Sequence, residues 1–142
     1  MFSSSLLSNT ALLLLLAATP AWALEVKMDV NASGGSHPVI SGLTNLPDGT
    51  ELSITLVVPG QYLGQGKAIV ENGHFASEAF SDNGRPLPNG VANLEVNSVF
   101  ASSEKVRAVI GEHGEKMTGP HVTALPGTSF KTVHISSKLA IP

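Results

Sequence analysis

Alternation marks the stretch from Glu51 to Val58. Leu52, Ile54, Leu56 and Val58 are apolar, and Glu51, Ser53 and Thr55 between them are polar. Neighbouring side chains on a strand point to opposite faces, so this period of two predicts a strand with one buried face. The same period returns over residues 91–100, where Leu94, Val96, Ser98 and Phe100 share a side. It returns again over residues 105–111 through Val106, Ala108 and Ile110. Further strands are predicted at 25–30, 39–43, 67–71, 74–80, 122–125 and 129–136.

Turn chemistry separates these runs. In Pro47-Asp48-Gly49, proline pre-sets φ, aspartate can cap the backbone and glycine accepts a positive φ. Asn72-Gly73 is the strongest hairpin signal, because both residues favour the I′ turn that matches strand twist. Residues 81–90, SDNGRPLPNG, carry too much Gly and Pro for a strand. The segment from Gly111 to Gly114, then Thr118-Gly119-Pro120 and Pro126-Gly127, supply the later breaks. Turns at this spacing, with no helix predicted, imply an all-β fold of about eight strands. Each strand has one apolar face, so two sheets should bury those faces against each other. The expected architecture is an antiparallel β-sandwich, immunoglobulin-like or transthyretin-like. A closed barrel is the alternative.

The amino terminus has a different character. Leu12 to Leu16 is an unbroken leucine run, followed by Ala17 and Ala18, a break at Pro20 and then Ala21-Trp22-Ala23. An apolar core ending in an A-x-A site is the pattern of a secretory signal peptide, with cleavage expected after Ala23. The apolar core is far shorter than the roughly 20 residues that cross a bilayer. The reading is therefore a signal peptide at 1–23 and one β-sandwich domain at 24–142, periplasmic or secreted, with no membrane span in the mature chain.

Composition narrows the function classes. The chain has no cysteine, so disulfides, thiolate metal sites and thiol nucleophiles are excluded. An exported domain without disulfides must hold by packing alone. The chain has 8 basic and 11 acidic residues, a net charge of −3, and the signs are interspersed. Without a basic patch to neutralise phosphates, nucleic acid is not an expected partner. Nor is there a polybasic segment for anionic lipid.

Four segments carry a resemblance: ISGLTNLPDGTELSITL from Ile40, ENGHF from Glu71, FSDNGRPLPNG from Phe80 and VRAVIGEHGEKMTGP from Val106. Together they span Ile40 to Pro120. As a set they resemble an immunoglobulin-like or transthyretin-like β-sandwich domain of exported bacterial proteins, most of them without an assigned function. The resemblance implies the fold and an exported location, and it brings no catalytic residues. Where such domains often carry an aromatic after the Pro/Gly loop, this chain has Val91, so no tyrosine corner is expected.

The candidate chemistry is sparse. The five histidines are His37, His74, His113, His121 and His134, and Met28 and Met117 are the thioethers of the mature chain. Exported sandwiches can hold copper through such groups. Yet no two histidines have H-x-H or H-x-x-x-H spacing, and His113 and His121 are the nearest in sequence. They read as turn and strand-surface imidazoles. Glu112, His113 and Glu115 form the densest polar cluster, which reads as a charged hairpin tip rather than an acid/base pair. Gly34-Gly35 and Gly64-x-Gly66 precede no predicted helix, so they are not phosphate loops. No G-x-S-x-G nucleophile motif occurs. Trp22 leaves with the leader. Phe75, Phe80, Phe100 and Phe130 sit in or beside strands as core. Tyr62 is the one aromatic expected to be exposed, in a loop, where it reads as an anchor tucked under the sheet edge ahead of a ligand contact. Asn31-Ala32-Ser33 is a sequon, which matters only in a eukaryotic source.

The sequence therefore assigns no catalytic, cofactor-binding or metal residue and no cofactor. The expected function is an exported, non-enzymatic module that meets a protein partner or serves as a structural accessory. Its binding loops are expected at 59–66 and 81–90, the longest on the scaffold. A periplasmic, copper-handling metal protein using the histidines is the alternative.

Overall fold

The computed structural model describes residues 23–99 and 103–142. The expected leader, Ala23 apart, lies outside the described residues, and so do Trp22 and Phe100. Ten strands follow in chain order: β1 (Leu24–Glu25), β2 (Asn31–Ser33), β3 (Val39–Leu43), β4 (Glu51–Val58) and β5 (Tyr62–Ile69), then β6 (His74–Ala76), β7 (Gly90–Ser98), β8 (Met117–Thr118), β9 (Val122–Ala124) and β10 (Lys131–Ile141). One helix, α1 (Glu104–Ile110), lies between β7 and β8.

The strands form three sheets. The largest runs β5-β4-β7-β10-β9, antiparallel throughout. The second runs β2-β3-β6, also antiparallel. The third is the short parallel pair β1-β8, with Leu24 opposite Met117. The fold is thus mostly β, with antiparallel pairing dominant, as the alternation predicts.

Register explains the core. Leu52, Ile54, Leu56 and Val58 are all buried on one face of β4. Their partners on β7 include Val96 opposite Ile54 and Leu94 opposite Leu56, both buried too. Ile40 of β3 and Phe75 of β6 belong to the same buried cluster, so both larger sheets feed one core. Ser77 extends the second sheet inward: its Oγ accepts from the Ile40 amide at 3.0 Å, and its own amide donates to the Ile40 carbonyl at 2.8 Å. The amide and carbonyl of Ile40 are therefore both paired where they are buried.

The turns behave as their chemistry dictates. Asn72 and Gly73 have φ of 50° and 78°, and Glu71 and His74 exchange two backbone bonds of 2.9 Å. Those positive values are what a two-residue I′ hairpin requires. Residues 81–90 form no strand before Gly90, and inside them Asn83-Gly84 repeats the device, with φ of 55° and 86° between Asp82 and Arg85. Pro59-Gly60 closes the β4–β5 hairpin, with Gly60 at φ 74° and the Gln61 amide on the Val58 carbonyl at 2.9 Å, as in a type II turn.

Several expectations need correction. Residues 105–111 are not a strand: α1 occupies 105–110, and Gly111 is its C-cap. Val106 and Ile110 fit the i, i+4 spacing of a helix face as well as the period of two, and those two residues are buried. Local signals decide for the helix. Ser103 caps it, its Oγ accepting from the Val106 amide at 3.3 Å, Glu104 stands in the first turn and Gly111 at the end. The loop expected at 59–66 is mostly strand, because β5 begins at Tyr62. Its glycines serve close packing rather than looseness. A Cβ on Gly64 would meet the Tyr62 ring, and one on Gly66 would lie 3.1 Å from Phe80. The single strand expected at 25–30 is broken into β1 and an isolated bridge from Met28 to Thr44. The strand expected at 74–80 stops at Ala76, and that expected at 129–136 continues to Ile141. Short pieces such as β2 bring the count above eight.

Candidate functional site

A groove of about 960 Å³ lies between β5 and residues 76–83. Both segments singled out as binding loops contribute to it. The Tyr62 hydroxyl donates to the Ser81 carbonyl at 3.2 Å, so the start of β5 and the start of the 81–90 segment are tied together. Burial first, and then the nearby Asp82 carboxylate, raise the Tyr62 pKa. The phenol therefore stays protonated and keeps its donor role. Tyr62 is half-buried as an anchor lying over Gly64, not an exposed loop aromatic.

β5 is an edge strand of the large sheet. In an antiparallel ladder, pairs that exchange hydrogen bonds alternate with pairs that do not. The Val70 amide donates to the Thr50 carbonyl at 2.9 Å, which makes 50/70 a bonded pair. Alternation then makes 52/68, 54/66 and 56/64 bonded pairs as well. The peptide groups of Leu63, Gln65, Lys67 and Ile69 consequently point away from β4, along the rim of the groove. No strand among the described residues pairs with them. On the outer face the same four residues are exposed, with Leu63 at 68% and Ile69 at 52%. Lys67 alone carries charge there, and it is drawn back to Glu51 at 3.3 Å. An eight-residue edge with apolar side chains at both ends and no proline is a template for another strand.

The cluster of Glu112, His113 and Glu115 has a structural explanation. It is not a hairpin tip: it follows α1 and leads into β8. Glu115 Oε1 accepts from the Glu112 amide at 2.8 Å and Oε2 from the His113 amide at 2.9 Å. The His113 ring stacks on Phe130, centroids 4.0 Å apart and planes within 7°. The His113 amide, foremost among the donors, lowers the Glu115 pKa. A carboxylate with a lowered folded-state pKa contributes stability above its ordinary range and loses it as pH falls through the folded value. Acidification below the usual carboxylate range is therefore expected to loosen this turn. The amide chemical shifts of Glu112 and His113 should share an acid-range change in the parent that is lost in Glu115→Gln.

The remaining expected ligands scatter. His37 sits in the turn closed by its amide on the Gly34 carbonyl at 3.0 Å, and His74 Nδ1 lies 2.9 Å from the Asn72 carbonyl. Met117 is buried at 1% exposure. His113 and His121, neighbours in sequence, are not the pair that the fold joins. Instead the His134 amide donates to the His121 carbonyl at 2.7 Å. Among the described residues, no three His, Asp or Glu side chains gather as a metal-holding group, and no helix is long and apolar enough to cross a membrane.

The fold and this edge define a mostly β chain in which, among the described residues, the eight-residue edge strand β5 lies unpaired on one side beside a groove. Compared with family models, curated proteins and solved structures, the chain matches none of them.

Proposed function

We propose that the chain is an exported, non-enzymatic module that takes an extended segment of a protein partner onto the free edge of β5. The observation that carries this reading is the rim itself, where the peptide groups of Leu63, Gln65, Lys67 and Ile69 open onto the groove. Main-chain bonds would supply affinity. Alternate apolar residues of the incoming segment would cover Leu63 and Ile69.

The finer architecture in this reading is an immunoglobulin-like sandwich. Strand order supports it over the transthyretin-like form. β2, β3 and β6 correspond to strands A, B and E, and β5, β4, β7 and β10 to C′, C, F and G. Export rests on the Leu12 to Leu16 run and Ala21-Trp22-Ala23. The Leu24 nitrogen donates to the Lys116 carbonyl at 2.9 Å, and an ammonium created there by cleavage could keep that bond.

The test places a photo-crosslinking residue at Leu63 in the producing cells, with exposed Val91 as control. Adducts are expected from position 63 on a protein whose own amino terminus reads Leu24-Glu25-Val26. Gln65→Pro should abolish them. Its nitrogen faces the rim, so proline removes no bond to β4 and should cost about 1 kcal/mol or less in a urea melt. Absence of adducts at 63, or adducts indifferent to proline, would refute the reading.

A further inference from the structure

We infer that His121 and His134 form a two-histidine site for a divalent transition metal, with copper(II) the preferred ion. The placement comes from the β10–β9 register. Lys131, Thr132 and Val133 face Ala124, Thr123 and Val122 in turn, and the next step sets His134 opposite His121. The 2.7 Å bond from the His134 amide to the His121 carbonyl continues that ladder. Directly opposed residues of an antiparallel pair share one face, with Cβ atoms about 5 Å apart. Val122 and Val133 both pack on the core face, so the two histidines lie together on the outer face. Both are half-buried.

The third strand of the row prepares the ligand. Asn97 of β7 faces His134 from the other side, and its Oδ1 lies 2.6 Å from His134 Nδ1. A carboxamide oxygen only accepts, so Nδ1 carries the proton. The Nε2 lone pair is left to coordinate, and the ring orientation is held. This is the outer-shell arrangement by which proteins fix metal-binding imidazoles.

Imidazole nitrogens suit copper, nickel and zinc, and the Irving–Williams order places copper(II) first among them. With no thiolate in the chain, softer selection does not compete. Water on the open sheet face completes the coordination. Glu95, opposite Ser136 and so one diagonal step from His134, puts a negative charge near the cation. The spacing of 121 and 134 in sequence gives no hint of this pair, because only the hairpin between β9 and β10 makes them neighbours.

The test titrates the purified protein with copper(II), read by calorimetry and by electron paramagnetic resonance. One ion with two histidine nitrogens in its equatorial plane is expected. His121→Ala and His134→Ala should each weaken binding by roughly tenfold or more, and the double variant should be little worse than either. That non-additivity is the mark of a chelate. Asn97→Ala should weaken binding by about tenfold while both histidines remain. His37→Ala and His74→Ala should change nothing. Urea melts confirm that each variant is folded, and His134→Gln repeats the experiment at nearly constant volume. Single variants that bind as the parent does, losses that simply add, or a spectrum without two histidine nitrogens would overturn the site.

Discussion

Ile54→Ala is expected to destabilise the protein by about 2–5 kcal/mol, the range for truncating a fully buried aliphatic side chain. Ile54 has no solvent exposure and stands at the middle of β4, between Gly66 of β5 and Val96 of β7. The truncation removes buried methyl groups, and strands on both sides hold the cavity open. Thr55, one residue on, faces the other side of the sheet between Gln65 and Glu95. Thr55→Ala should cost about 1 kcal/mol or less, as for a partly solvated position. Urea melts of the two variants read the difference directly. Equal losses would show that the sheet is buried on both faces.

Gly42→Ala should cost about 3 kcal/mol or more, although it adds a single methyl group. A Cβ at Gly42 would stand 2.0 Å from the Asp29 carbonyl oxygen and 2.9 Å from its Oδ1. The first of these is backbone and cannot swing aside. Asp29 is also held where it is: its amide donates to the Leu43 carbonyl at 3.0 Å, and its Oδ1 accepts from the Leu43 amide at 2.7 Å. Making room for the methyl therefore peels the chain before β2 away from β3. Gly60→Ala is the control. Nothing lies within 4 Å of its added Cβ, so the cost there is the left-handed backbone at φ 74°, about 1–2 kcal/mol. A Gly42 variant as stable as the Gly60 variant would mean that residues 28–29 shift freely.

The alternation in β4 and β7 was legible in the sequence because a half-buried strand can satisfy its burial only every second residue. Asn72-Gly73 was legible because few residue pairs accept two successive positive φ values. Helix α1 was misread because Val106 and Ile110 satisfy both periods, and its deciding signals sit at Ser103 and Gly111, outside the repeating apolar positions. Tyr62 to Gly66 was misread as loop because the reason for its glycines lies elsewhere in the chain. Gly66 is small because Phe80, fourteen residues on, packs against it.

The sequence by itself determined that this is a β-rich chain without thiol chemistry, where its strongest strands run and which of their faces is apolar. Those follow from local periodicity, turn propensity and composition, which need no knowledge of distant residues. Only the tertiary structure decided that β5 is a bare edge rather than an interior strand, since edge and centre differ in the neighbour and not in the residues themselves. It alone decided that Glu115 caps the turn of its own cluster. It alone set His121 opposite His134, because strand register converts thirteen residues of separation into one cross-strand step.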